Sequence, residues 1–412
     1  MPLKVGIVGC GRITAAHLRG YLELKNNGLL GDVIITAMCD QIKSYAESWL
    51  KRGVGPSPIK EVGPPGDPMA TPRTFLSDFQ PDVEVGVYTD YREMLKKADV
   101  DAVEILTPVF AHHSIAVDAI NAGKHVLVEK PFSVSVKAGW RILEAAEKQG
   151  VVLGIADALH YREDARMTKW AIDQGYIGRP QVYIYARGAG YWDPDKIVAE
   201  TPWRHIKIYA GAGITADWLA HRSHLLNLYY RKISEVSAHV DILSPRRKTV
   251  DETGKVVKEV DCNVDDTVLA ILKHESGTLG FLFASWSLHG VTLNEDRVYG
   301  SKGCLVGDKL VSEGKGEVSL RELFNREAKQ SLKEKFFPKG ITNHFALEIL
   351  EFLSAIKEKR EMETSGKDGL REVAVAYAMI ESSRRGRAVY VDDVLNGKIC
   401  DYEMEINRYY EI

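Results

Sequence analysis

Apolar residues fall in short blocks at the front of the chain and in alternation further on. Residues 4–8, Lys-Val-Gly-Ile-Val, are too short a run for a helix and stop at Gly9-Cys10-Gly11. That pattern predicts a buried strand ending in a tight turn. Ala15, Ala16, Leu18 and Leu22 then recur at helical spacing. A second run at 33–38 ends at Cys39-Asp40, and 44–51 is helix-like. Strand, glycine turn, helix, strand is the opening of a parallel α/β unit.

The rhythm breaks between Lys51 and Gly86, which hold seven of the fifteen prolines. So many fixed φ angles exclude a long regular element. The stretch at about 52–86 reads as a surface insertion that adds little to the core. Alternation of strand and helix resumes after it. Helices are expected at 91–98, 114–122 and 136–149, and strands at 102–106, 125–129 and 151–155. This is a doubly wound parallel sheet of the Rossmann type. After about 156 the pattern changes to period two. Runs at 181–187, 236–243, 267–274, 278–286 and 295–299 have few helices between them and predict a large, open, mostly antiparallel sheet. Two later helices are expected, one with Phe345, Ile349, Phe352 and Ile356 on a single stripe and one at 369–384. The expected fold class is α/β followed by α+β. Its domains are 1–155 and 156–412, with C-terminal helices available to pack back on the first.

Composition narrows the function. The 412 residues are 45% hydrophobic and 27% charged, with a formal net charge of −3. Nothing in that balance favours a nucleic-acid partner or a membrane surface. No apolar run approaches a membrane span. The five cysteines are scattered without metal or redox spacing, which suits a reducing cytoplasm.

The candidate chemistry starts at the turn. Gly9-Cys10-Gly11, with Arg12 and Ile13 entering the helix, gives backbone N–H groups and room for a pyrophosphate. The third glycine of the full fingerprint is Thr14 instead. Asp40, closing the second strand, can accept both ribose hydroxyls and repels a 2′-phosphate, so NAD is favoured over NADP. Glu129-Lys130-Pro131 ends the strand from His125, on the side where parallel sheets bind ligands. Asp217-Trp218-Leu219-Ala220-His221 would place Asp217 and His221 on one helical face, where a carboxylate can orient an imidazole. Each motif also has a plainer reading: a tight turn, a helix cap, a solvated lysine, a surface ion pair.

Taken together, the motifs resemble the glucose–fructose oxidoreductase / inositol dehydrogenase family (Gfo/Idh/MocA). The matching residues are Gly9-Cys10-Gly11-Arg12-Ile13, Thr107-Pro108 with His112, Ala122 to Val126 leading into Glu129-Lys130-Pro131, Trp203-Arg204, the Gly211-Ala212-Gly213 stretch, and Asp217 with His221. The resemblance implies an oxidoreductase that moves a hydride between NAD and a hydroxyl-bearing carbon of a sugar or polyol. Lys130 and His221 would act on the hydroxyl, and Asp217 would bind or orient. Thr107, Pro108, His112 and Glu129 would lie at the cofactor. Tyr161, Trp203, Arg204 and His224 are candidate substrate contacts. The resemblance also implies a homodimer or homotetramer built through the second-domain sheet. Thr14, His224 and the long insertion depart from the family pattern.

Three rival readings follow from the same residues. Asp217, His221 and His224 at i, i+4 and i+7 could hold a metal. Transient oxidation could serve glycoside cleavage. A non-catalytic sensor could keep the dinucleotide site alone, although both Lys130 and His221 are present. Tyr183, Tyr185, Tyr191, Trp192 and Trp203 could stack on a sugar, or equally belong to a core or an interface.

Overall fold

The computed structural model describes residues 2–53, 73–188, 201–250, 253, 255–314 and 316–412. The chain divides into two compact units. One is formed by 1–132, 139–161 and 337–369, the other by 133–138, 162–336 and 370–412.

The first unit is built on a six-stranded sheet. Its strands are β1 (Leu3–Val8), β2 (Val33–Cys39), β3 (Gly86–Tyr88), β4 (Ala102–Ile105), β5 (His125–Glu129) and β6 (Leu153–Ala156), in the order β3-β2-β1-β4-β5-β6. All pairings are parallel. The strands are nearly continuous apolar runs, as burial on both faces requires. The order reverses between β1 and β4, so a crevice opens at their carboxyl ends. The helices α1 (Thr14–Asn26), α2 (Lys43–Glu47), α3 (Tyr91–Lys97), α4 (His112–Asn121) and α5 (Val136–Gln149) connect the strands. Leu18, Tyr21 and Leu24 of α1 are fully buried, in one cluster with Ile349, Phe352 and Leu353 of the later helix His344–Glu358. That helix belongs to the first unit, although it lies more than three hundred residues after α1 in the chain.

The insertion does not behave uniformly. Residues 54–72 lie outside the described residues. Phe75, Leu76 and Phe79, however, are buried, which corrects the expectation that 53–80 adds little to the core. Phe79 stacks on Tyr21 with ring centroids 6.2 Å apart, and Gln80 pairs with both backbone groups of Ile35 in β2. Three apolar side chains within five residues outweigh the proline signal before them.

The second unit carries a nine-stranded sheet. Its strands are β7 (Pro180–Gly188), β8 (Ile233–Asp241), β11 (Thr267–His274), β12 (Leu279–Ser285), β13 (Leu293–Gly300), β14 (Gly303–Val306), β15 (Lys309–Ser312), β16 (Gly316–Ser319) and β17 (Val389–Tyr390), while β9 (Arg246–Val250) and β10 (Val256–Asp261) form a separate hairpin. The order is β16-β15-β14-β13-β7-β12-β11-β8-β17, antiparallel except where β7 meets β12. Sequence patterning missed the hairpin and β14–β16, which are short or polar.

One face of this sheet is buried. Tyr183 and Tyr185 lie on it, with Tyr183 stacked on Tyr230 at 5.1 Å and bonded to His274, and the Arg222 guanidinium 4.2 Å over the Tyr185 ring. These two tyrosines are core, not sugar platforms; Tyr191 and Trp192 lie outside the described residues. The opposite face is apolar yet open. Ile271, Phe281, Leu279, Val182, Tyr299 and Val311 are each more than a third exposed. Cross-strand register aligns Leu279, Val182, Tyr299, Cys304 and Val311 in one row.

Phe79→Ala should therefore lower unfolding stability by about 3–5 kcal/mol, read by urea denaturation. A loss below ~1 kcal/mol would mean that this segment is not part of the core.

Candidate active site

The glycine turn sits where β1 and β4 pass closest. Gly9 has φ +95°, and a Cβ there would lie 2.6 Å from the carbonyl carbon of Leu106. Only glycine meets both conditions. The Gly9 N–H donates to Cys39 (2.8 Å), and the Cys10 N–H donates to Asp40 Oδ2 (2.9 Å). Asp40 Oδ1 accepts from Ile42 N–H (2.9 Å). The acid after the second strand is thus fixed against the glycine turn itself. Trp49, almost fully buried, donates its indole N–H to the Cys10 carbonyl (2.9 Å) and is covered by Arg73 at 4.3 Å. Neither Trp49 nor Arg73 was flagged by sequence patterning, because neither belongs to a motif.

Gly11 is different. A Cβ added there would meet no atom of the described residues within 4 Å. Beside it α1 begins without a side-chain cap on its N-terminal N–H groups. An open position next to an uncapped helix start is what a pyrophosphate needs. Arg12 and Ile13, both half-buried, lead into that first turn. Thr14 fits in place of a small residue because it is fully buried and turns its hydroxyl back to the Gly9 carbonyl (3.2 Å). These residues fit a dinucleotide.

The loop after β4 carries Thr107 and Pro108. His112, at the start of α4 and fully buried, has Nε2 2.7 Å from the Thr107 carbonyl and Nδ1 2.8 Å from the Pro131 carbonyl. Serving both acceptors needs a doubly protonated ring. Burial opposes that charge and lowers the pKa of His112 against the pull of the two carbonyls. Both ring nitrogens are turned to backbone, so His112 ties the Thr107-Pro108 loop to the turn at Lys130. Glu129 is the buried last residue of β5, Lys130 is half-buried, and the Lys130–Pro131 peptide is cis.

The second-unit motif rests on close backbone approaches. Gly211 has φ +77°, and its missing Cβ leaves room for the Tyr377 hydroxyl and the Val134 carbonyl, each 2.8 Å from where it would stand. At Gly213 the Asp265 carbonyl oxygen would be only 1.8 Å away. Asp265 accepts from the N–H of Gly213 (2.7 Å) and of Thr215 (2.8 Å), fixing the start of the short helix Ile214–Asp217. Burial pushes the Asp265 carboxyl up, and those N–H groups hold it down. Trp218 interrupts the helix, which resumes as Leu219–Tyr230 with the half-buried His221 in its first turn. Asp217 forms an ion pair with Arg204, whose guanidinium stacks 4.6 Å over Trp203. The motif residues Trp203, Arg204 and Asp217 therefore form one contact group.

Two candidate substrate contacts are buried. Tyr161 is fully buried with its hydroxyl 3.2 Å from Thr364 Oγ1, so it is a core side chain of the first unit. His224 is buried and pairs with Glu372 at 2.8 Å. Asp217 thus pairs with Arg204, and His224 with Glu372.

Known proteins resemble this chain in sequence and in fold. Residues 73–156 match the description "Oxidoreductase family, NAD-binding Rossmann fold", and residues 165–306 match the Gfo/Idh/MocA C-terminal domain, between them more than half of the chain. The chain belongs to the Gfo/Idh/MocA oxidoreductase family. The first match begins after the glycine turn, so Gly9, Gly11 and Asp40 rest on the geometry above. The chain is 24% identical to a myo-inositol 2-dehydrogenase of Thermotoga maritima over 402 residues, 95% of this chain and 100% of that one. It is 27% identical to a 1,5-anhydro-D-fructose reductase of Ensifer adhaerens over 307 residues, 74% of this chain and 84% of that one. A levoglucosan dehydrogenase solved with NADH and L-sorbose shares the fold with a TM-score of 0.75 at 20% identity, covering 96% of this chain and 100% of that one. The family is NAD-binding, and NAD is the cofactor of this fold.

Gly9 and Gly11 should separate fold from binding. Gly11→Ala should leave thermal stability unchanged and weaken NADH binding, whereas Gly9→Ala should destabilise the protein. Unchanged NADH titrations in Gly11→Ala would show that the open position is not the pyrophosphate seat.

Proposed function

We propose that this protein is an NAD-dependent dehydrogenase or reductase acting on a secondary hydroxyl of a sugar, sugar derivative or polyol. The observation that carries the reading is Lys130. It stands at the carboxyl end of β5, next to β4, on a turn that His112 ties to the Thr107-Pro108 loop beside the glycine turn. Relatives named for inositol, anhydrofructose and levoglucosan support a polyhydroxylated substrate.

When bound, NAD supplies the hydride acceptor. The chain's residues supply the rest. Gly9, Cys10, Gly11, Arg12 and Ile13 would bind the pyrophosphate through backbone N–H groups, and Asp40 would receive the adenosine ribose. Thr107, Pro108 and Glu129 would border the nicotinamide half. A hydroxyl losing hydride from its carbon must also lose its proton, which needs an acceptor and nearby positive charge. His221 would take the proton, and Lys130 would donate a hydrogen bond to the same oxygen. Asp217, with Arg204 and Trp203, would hold a neighbouring hydroxyl or ring face of the substrate. The five cysteines are free thiols, which supports a reducing, cytoplasmic setting. Among the described residues no helix is long and apolar enough to cross a membrane.

The exposed apolar face of the nine-stranded sheet supports a homo-oligomer. A patch of this kind on a soluble chain asks for a partner, and a second copy offers the same patch.

The catalytic assignment predicts that Lys130→Ala and His221→Ala each lower turnover by roughly 10²–10⁴-fold, with NADH affinity nearly unchanged. A sugar and polyol panel read by NADH absorbance, with NADH titration of each variant, tests it. Near-normal turnover in His221→Ala would remove it as the proton acceptor. For assembly, Phe281→Glu should convert the native oligomer into monomers by light scattering. An unmodified protein that is already monomeric would refute that part.

A further inference from the structure

Beneath the Lys130 turn, the first unit buries more carboxyl groups than its core can bear without a cation. Glu104 lies in the middle of β4 with its side chain fully buried. It accepts from the Tyr21 hydroxyl and lies 2.9 Å from His17 Nδ1. His17, one turn into α1, is also fully buried, and its Nε2, which makes no hydrogen bond among the described residues, faces Glu129 Oε1 across 3.6 Å. The Phe345 ring closes one side at 5.6 Å. From the helix His344–Glu358, Glu348 brings a further buried carboxyl whose two oxygens have no hydrogen-bond partner among the described residues. Asp157, following β6, adds a fourth acidic group to the surroundings of Glu348.

The charges sort themselves by contact. Burial works against a charged His17, but Glu104 and Glu129 outweigh it and pull its pKa up to about 10. A folded value above the ordinary one means that the stabilising charge is complete below about 6.5 and lost as pH rises through about 10. Glu348 goes the other way. Burial first, and its acidic neighbours after, push its carboxyl well above the usual range in spite of His17. One imidazole thus lies between two carboxyl groups, bonded to Glu104 and 3.6 Å from Glu129, while Glu348 stands further off.

We propose that His17 is a positioning residue for the reaction: held by Glu104 from the neighbouring strand, it supplies the positive charge that fixes the Glu129 carboxylate at the end of β5, and through it the Lys130 turn. This rests on the reading that Glu129 borders the cofactor. His17 touches neither cofactor nor substrate in this account. It acts by setting where Glu129 points and with what charge. The second ring nitrogen is the one that faces the strand-end glutamate.

The test combines three variants with a direct reading of the ring. His17→Gln should weaken NADH binding by roughly tenfold and make it pH-dependent between about pH 5 and 8, because the carboxyl groups left without a cation compete for protons. In the unmodified protein NADH binding should be flat over that range. Glu129→Gln should weaken NADH binding to a similar degree, and the double variant should be no worse than either single one. If Glu129→Gln binds NADH normally, Glu129 is not at the cofactor, and the proposal fails with that reading. If Glu129→Gln weakens binding but His17→Gln does not, the clamp fails and the cofactor reading stands. Nitrogen-15 spectra of the unmodified protein at pH 8, with His17 assigned through its proximity to the Phe345 ring, should show both ring nitrogens protonated. A single protonated nitrogen overturns the proposal whether or not the variants fold.

Discussion

The site depends on one steric fact: the backbone of β1 turns away at Gly9 so close to the backbone leaving β4 that no side chain fits between them. A six-stranded parallel sheet whose order reverses must open at that point, and the opening is only as well defined as the two strands that flank it. Gly9 brings them to backbone contact. The neighbouring bonds then have little freedom. Cys10 is fixed between Asp40 and the Trp49 indole, and Thr14 closes the turn from the helix side. Gly11 is left as the glycine of the turn with room around it among the described residues. The glycine pair therefore divides its labour, the first residue setting the scaffold and the second leaving room.

Much of this was legible in the sequence because it is written in local signals. Apolar runs ending in glycine or a charged residue locate the central strands, and the Glu-Lys-Pro turn marks a strand end. Other parts are written in contacts between distant residues, which no local pattern carries. Trp49 and Arg73 reach the glycine turn from outside any motif. Tyr161 reads as a pocket aromatic and is a core residue bonded to Thr364. Asp217 sits at helical spacing from His221 and also forms an ion pair with Arg204, thirteen residues back, which helical spacing could not reveal. Two signals were present and went unused. Glu104 stands in an otherwise apolar central strand, and His17 lies on the buried side of α1. A charged residue where patterning demands an apolar one needs a partner nearby, and each is the other's.

Both units bury ionisable pairs, His17–Glu104 in the first and Arg247–Asp266 and His224–Glu372 in the second, but their sheets differ. The first unit accepts ionisable groups into its interior and balances them by pairing. The second unit keeps one sheet face packed with tyrosines and leaves the other apolar and uncovered. Interior pairing gives directional control over a strand end where chemistry is expected. An uncovered apolar face gives no direction at all, only area, and suits association in which the register of the strands does the aligning.

The helix His344–Glu358 has a consequence for how the chain is made. It completes the core around α1, but it is encoded more than three hundred residues after that helix. During synthesis the parallel sheet can form early, at the pace of translation, while the apolar side of α1 stays uncovered until most of the polypeptide has left the ribosome. The nascent first half is therefore a natural client for chaperones. An excised fragment of residues 1–161 would lack Ile349, Phe352 and Leu353 of that core, however complete its strand order looks on paper.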